Sequence, residues 1–199
     1  KGFKDIGVIY DISDTYSSGI YDAFKAKMDE YGATFKVYTF DADNKVDFST
    51  QTEALKDCDT IFIPIYYNEA ALIAKAACGK GFDGLILGCD GLDGVAAYID
   101  ETVTVEINYI TPFDVESDDE NVKSFVENFK AAYNELPDQF AADGYDAVMA
   151  IYYAMKAAGV DDVNIDPSDL CDKVVAAITA SDFNYKGLTG DMTWDTTGA

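Results

Sequence analysis

Short apolar runs, each followed by a helical periodicity, constrain the first half of this chain more than any other feature. Ile6-Gly7-Val8-Ile9-Tyr10 is bounded by charge and shows no polar alternation, so it reads as a central parallel strand buried on both faces. Ile20, Ala23, Phe24, Met28 and Tyr31 then recur at three- and four-residue spacing before Gly32, which predicts a helix over residues 17–31. The pattern repeats. A strand is expected over 35–40, a short helix over 49–55 with Ser49 as its N-cap, and a strand over 60–65 with Pro64 near its end. An alanine-rich helix over 69–78, a strand over 84–88, a helical turn near 94–99 and an edge strand over 102–110 complete it. Alternation of this kind predicts an α/β fold, a doubly wound parallel sheet with right-handed crossovers.

The second half is built differently. Thr111-Pro112-Phe113 and the acidic stretch 114–120 mark a boundary, leaving 1–111 as an α/β lobe and 112–199 as a helical segment. Ser117 and Glu120 form a capping box for a helix to Tyr133. Pro137 separates it from a helix over 140–158 that ends at Gly159, and Asp166-Pro167 opens a third helix to about Ala180. Residues 185–194 read as one short strand or hairpin arm, with Gly187 and Gly190 as turn residues. These helices have no sheet of their own, so they either pack on the first half or belong to a second lobe whose strands lie elsewhere.

Charge and missing residue types narrow the function classes. Fourteen lysines, no arginine and thirty-seven acids give a net charge of -23, which disfavours nucleic acid and anionic membrane surfaces as partners. Histidine is absent, which removes Ser-His-Asp and Cys-His catalysis and weakens any zinc proposal. Cys58, Cys78, Cys89 and Cys171 are too widely spaced for a metal ribbon; Cys58 and Cys78 read as small packed hydrophobes, and their pairing stays open. No stretch reaches the ~18 apolar residues of a bilayer span. A chain that starts at Lys1 and runs straight into a strand is expected to be a processed or truncated piece.

What chemistry there is sits in loops after the apolar runs, where open α/β sheets bind ligands. Asp11, Ser13, Asp14, Thr15, Tyr16, Ser17 and Ser18 follow the first strand, Tyr66 and Tyr67 the third, and Asp90 the fourth. An acid partly desolvated beside tyrosines favours a cationic group such as an ammonium. Helix capping or a turn explains Asp14 and Asp90 equally well at this level, and Tyr16 could equally cover the edge of the core. Of Tyr66 and Tyr67, one turns toward the crevice if the other packs back. Asp14 and Asp90 could converge as an acid/base pair, but carboxylates at strand ends more often bind or cap, so no catalysis is expected. A flavodoxin-like cofactor domain is the rival reading of the hydroxyl-rich loop, against which Asp11 and Asp14 would set negative charge beside a phosphate.

The strings Ile6-Gly7-Val8-Ile9-Tyr10-Asp11, Ser13-Asp14-Thr15-Tyr16-Ser17-Ser18-Gly19, Asp47-Phe48-Ser49, Tyr66-Tyr67, Ala71-Leu72-Ile73, Ile86-Leu87-Gly88 and Asp90-Gly91 occur in one order along the chain. Together with Gly144-Tyr145-Asp146-Ala147-Val148 and Gly190-Asp191-Met192-Thr193-Trp194-Asp195, they resemble the extracytoplasmic solute-binding proteins of branched-chain amino-acid ABC transporters. The resemblance implies a two-lobed type I periplasmic-binding fold, Leu/Ile/Val-binding-protein-like, closing on its ligand by a hinge. It implies an amino acid, branched-chain or otherwise apolar, as ligand and the membrane permease of an importer as partner of the intact two-lobed protein. Neither cofactor nor metal is implied, and the location is the periplasm or the cell surface. By position Tyr16 and Tyr66 match the two aromatic contacts and Asp90 the acid for the α-ammonium, with Asp14 and Tyr67 beside them. The same resemblance makes Lys1 the start of the second lobe, with 112–199 returning to a first lobe whose N-terminal part, the carboxylate-binding half, lies outside the chain. A signalling receptor could use the same fold and loops.

Overall fold

Every apolar run of the first half becomes a strand in the computed structural model, which describes residues 2–162 and 164–198. β1 (Ile6–Asp11), β2 (Lys36–Phe40), β3 (Thr60–Ile63), β4 (Leu85–Gly88) and β5 (Glu106–Tyr109) form one sheet in the order β2-β1-β3-β4-β5, all pairs parallel. Gly7, Val8 and Ile9 are buried in succession, which needs cover on both faces of the sheet. The crossover helices α1 (Thr15–Glu30), α2 (Ser49–Leu55) and α3 (Tyr67–Gly79) supply it. Phe24 of α1 lies 4.8 Å from Phe62, while Ile61, Ile63, Ile73 and Ile86 are fully enclosed in the main core. In this order the direction in which successive strands are added switches between β1 and β3, and a crevice opens there at the carboxyl ends.

Several boundaries differ from the sequence reading for local hydrogen-bonding reasons. α1 starts at Thr15 because Asp14 caps it, accepting from Ser17 N at 2.8 Å. Its expected stripe is shallower than periodicity suggests, since Ala23 is exposed and Tyr31 is 81% exposed. Ser49 is the first residue of α2 rather than its cap; its N–H donates to Asp47 Oδ1 at 2.9 Å. β3 stops at Ile63, before Pro64, whose ring removes the ladder donor. β5 is shorter than 102–110 because Asp100 accepts from Thr102 N at 2.9 Å and turns the chain there. All four cysteines are free thiols, and burial pushes the Cys58 thiol up.

From Pro112 onward the chain forms a second compact unit. It contains α4 (Glu120–Tyr133), α5 (Gln139–Ala157), α6 (Pro167–Ile178) and the strands β6 (Tyr185–Lys186) and β7 (Asp191–Met192). The tail is thus the hairpin of the two alternatives the sequence left open, a two-stranded antiparallel pair turning through Gly187 and Gly190. Phe113, Val122 and Ala142 centre a small core with Phe125, Val126 and Leu188 around it. One buried acid organises the unit. Asp146 on α5 is 1% exposed and accepts from Tyr185 Oη, Leu188 N, Thr189 N and Thr189 Oγ1, each at 2.9 Å. Gly187 is required beside it, because a Cβ there would stand 2.5 Å from Asp146 Oδ2.

The cap of α4 is Asp119, not Ser117: Asp119 Oδ1 accepts from Asn121 N at 2.8 Å and Val122 N at 3.3 Å, while Ser117 Oγ accepts from Asp119 N. Those N–H groups hold the Asp119 carboxyl below its ordinary value. A carboxyl depressed in the folded state stabilises above its unfolded pKa, and the contribution fades as pH falls through the folded value. Asp119→Ala is therefore expected to melt below the parent at neutral pH, with the gap narrowing below about pH 4. Thermal melts at both pH values check this; a gap that stays constant contradicts it.

Candidate functional site

Three strand-end loops meet at the carboxyl edge of the first sheet. Tyr16, in the first turn of α1, stacks on Tyr66 with ring centroids 4.9 Å apart. Tyr66 immediately precedes α3 and remains 40% exposed. The Tyr16 hydroxyl donates to Asp90 Oδ1 at 2.8 Å and accepts from Gly91 N at 2.8 Å. Asp90 opens a 3-10 turn, Asp90–Leu92, directly after β4. Gly91 makes the junction sterically feasible, since a Cβ would lie 2.6 Å from the Ile65 carbonyl oxygen and 2.8 Å from the Tyr16 hydroxyl.

The other expected residues fall on the far side of Tyr66. A cleft of about 340 Å³ is lined by Asp11, Asp14, Lys45, Tyr66, Tyr67 and Glu69 among others, so Tyr66 belongs to both groups while Tyr16 and Asp90 do not line the cleft. Asp14 serves as the α1 cap there, and buried Ser17 Oγ accepts from Asp11 N at 2.9 Å. Tyr67 tilts against Tyr98 at 4.9 Å and packs on the core margin. The structure thus brings Tyr16, Tyr66 and Asp90 together and sets Asp14 and Tyr67 beside them. Sequence reading marked the Asp90-Gly91 step but not the partners of Gly91, and it missed a second phenol–acid pair nearby, Tyr109 Oη donating to Asp93 Oδ1 at 3.0 Å. A glycine following an acid at a strand end is the signal for the first.

Electrostatically the phenols are donors. Burial, then the bond to Asp90, drives the Tyr16 hydroxyl far above its ordinary pKa, and burial followed by the charges of Asp14 and Asp90 raises Tyr66. Both stay protonated at neutral pH, so neither acts as a base. Burial, reinforced by Asp90, also raises the Cys89 thiol and keeps it protonated. An acid, two neutral phenols and an aromatic wall recognise a compact cation attached to an apolar body. A phosphate suits the neighbouring cleft poorly, because Asp11, Asp14 and Glu69 line it and Lys45 sits 3.7 Å from Glu69.

A family model described as periplasmic binding protein matches residues 1–199. The chain belongs to that family. Its members are substrate-binding proteins, and this replaces the flavodoxin-like alternative. The Leu/Ile/Val-binding protein homolog 3 of Brucella melitensis is 26% identical over 166 residues, covering 81% of this chain and 45% of that protein. Leu/Ile/Val-binding protein BraC3 of Rhizobium johnstonii is 26% identical over 198 residues, covering 97% and 53%. Among solved structures, the leucine-binding protein LivK of Thermotoga maritima superposes with a TM-score of 0.78 at 30% identity, over 99% of this chain and 55% of its own. LivJ of Streptococcus pneumoniae, solved with isoleucine, gives 0.76 at 28% identity, over 98% and 54%. The periplasmic binding chain described here therefore spans about half the length of the curated relatives it matches. Among the described residues, no helix is long and apolar enough to cross a membrane.

Proposed function

We propose that this chain carries the ligand-binding α/β lobe of an extracytoplasmic receptor that captures a small amino-acid-like solute for an ABC importer, without catalysis. The observation that carries the reading is the Asp90 carboxylate held at the strand ends beside the Tyr16–Tyr66 stack. Asp90 takes the α-ammonium, and the rings of Tyr16 and Tyr66 pack on the ligand's apolar part, with Asp14 and Tyr67 at the margin. Relatives named for leucine, isoleucine and valine support an apolar, branched-chain side chain as the first class to try. The partner is a membrane permease, reached through the full-length receptor.

The second unit fits a returning part of the lobe that precedes this one in two-lobed relatives. Its helices support that assignment by presenting apolar side chains to solvent: Val148 is 66%, Ile151 51% and Val175 59% exposed.

Isothermal titration of the native-length protein against L-leucine, L-isoleucine, L-valine and L-phenylalanine tests the proposal. Micromolar or tighter binding of at least one is expected. Silence across the panel overturns the amino-acid reading and returns Asp90 to the role of a turn residue.

A further inference from the structure

We propose that Tyr16 is a positioning residue for Asp90: its phenol, itself oriented by the Gly91 amide, holds the ligand-binding carboxylate in one preset direction. This rests on the assignment of Asp90 to the ligand ammonium and adds a role for the Tyr16 hydroxyl that is separate from its ring.

A phenol oxygen that accepts one N–H has its own O–H direction constrained. Gly91 N donates to it at 2.8 Å, and the O–H is left to point at Asp90 Oδ1, also at 2.8 Å. The ring cannot turn freely, because its face is stacked on Tyr66. Gly91 is buried and packed against the loop after β3, so closely that a Cβ would stand 2.6 Å from the Ile65 carbonyl oxygen. The loops after β1, β3 and β4 are therefore locked at one point, and Asp90 and Gly91 both lie within that lock. A carboxylate already held by the phenol need not be ordered at the moment of binding, a step that costs side-chain entropy. Fixing it beforehand moves that cost into folding. Burial of the phenol and its bond to Asp90 keep it protonated, so the donor persists over the physiological pH range.

The test uses Tyr16→Phe, which keeps the ring and removes only the hydroxyl, in the native-length protein. The probe is whichever of L-leucine, L-isoleucine, L-valine and L-phenylalanine binds the parent most tightly. Tyr16→Phe is expected to weaken it about tenfold, the order of one hydrogen bond to a charged group. In an Asp90→Ala background the same change is expected to do nothing further, because there is no carboxylate left to orient. Equal losses in both backgrounds would mean that Tyr16 acts on the ligand or on folding, and would overturn the positioning role.

A second readout needs no ligand. In the ¹H–¹⁵N spectrum, amide exchange of Gly91 is expected to quicken in Tyr16→Phe, which lacks the acceptor, and to stay slow in Asp90→Ala, which retains it. Gly91 exchange that ignores Tyr16→Phe overturns the positioning role alone and leaves the receptor reading intact. Failure of the parent to bind any of the four amino acids overturns the receptor reading, and the positioning role falls with it.

Discussion

Asp146→Ala is expected to destabilise the second unit by about 3–5 kcal/mol, the largest stability effect of any single change considered. The carboxylate is enclosed, and four donors converge on its two oxygens. Truncation leaves the Tyr185 hydroxyl and the Leu188 and Thr189 amides without their acceptor and opens a void between α5 and the β6–β7 hairpin. Asp146→Asn preserves the volume but turns an amide donor toward one of those donors, so an intermediate loss is expected. Trp194 is the chain's single tryptophan and lies just past β7, within 6.2 Å of Phe183. Urea unfolding followed by its emission reports on the hairpin directly. A loss below about 1 kcal/mol would mean that water replaces the carboxylate at little cost and that Asp146 is not what anchors the hairpin.

The second large effect concerns binding. On the proposed assignment, Asp90→Ala in the native-length protein is expected to cost about 2–5 kcal/mol of affinity for an α-amino acid, because it removes the carboxylate that pairs with the ligand ammonium. Tyr66→Ala is expected to cost less, about 1–2 kcal/mol, since it removes aromatic packing and leaves the charge paired. Titration calorimetry of both variants against the same ligand orders them. If Tyr66→Ala proves the more damaging, recognition is dominated by the apolar part of the ligand; if Asp90→Ala binds as the parent does, Asp90 is outside the site.

Residue by residue, the two halves of the chain differ in how openly they declare themselves. β1, β3 and β4 are visible as apolar runs because a parallel strand covered on both faces has no reason to alternate. α5 and α6 are similarly plain, with Pro167 following an Asp cap and Gly159 closing the preceding helix. Caps were less legible. Ser49, Ser117 and Asp119 are all chemically competent, and the choice among neighbours one or two positions apart turns on backbone angles that side-chain type does not encode. Asp146 lay within a string that carried the family resemblance, yet nothing local distinguishes it from a surface acid on a helix. Its partners are 39 to 43 residues away.

By itself the sequence determined the α/β alternation, the placement of tyrosines and acids at the carboxyl ends of strands, the exclusion of histidine-based catalysis, and a family likeness spread along the chain. These follow from short-range rules: burial sets the periodicity of each element, and chain direction sets which loops gather at one edge of a parallel sheet. Only the tertiary structure decided that Tyr66 stacks on Tyr16 while Tyr67 packs against Tyr98, that Asp90 shares its oxygen with a phenol 74 residues earlier, and that Asp14 lines a separate cleft. The physical reason is that such contacts depend on strand register and on how closely two backbones approach. At Gly91 the glycine beside Asp90 is a local sign that a close approach is possible, but its partner, the carbonyl of Ile65, is named by no local pattern around either residue.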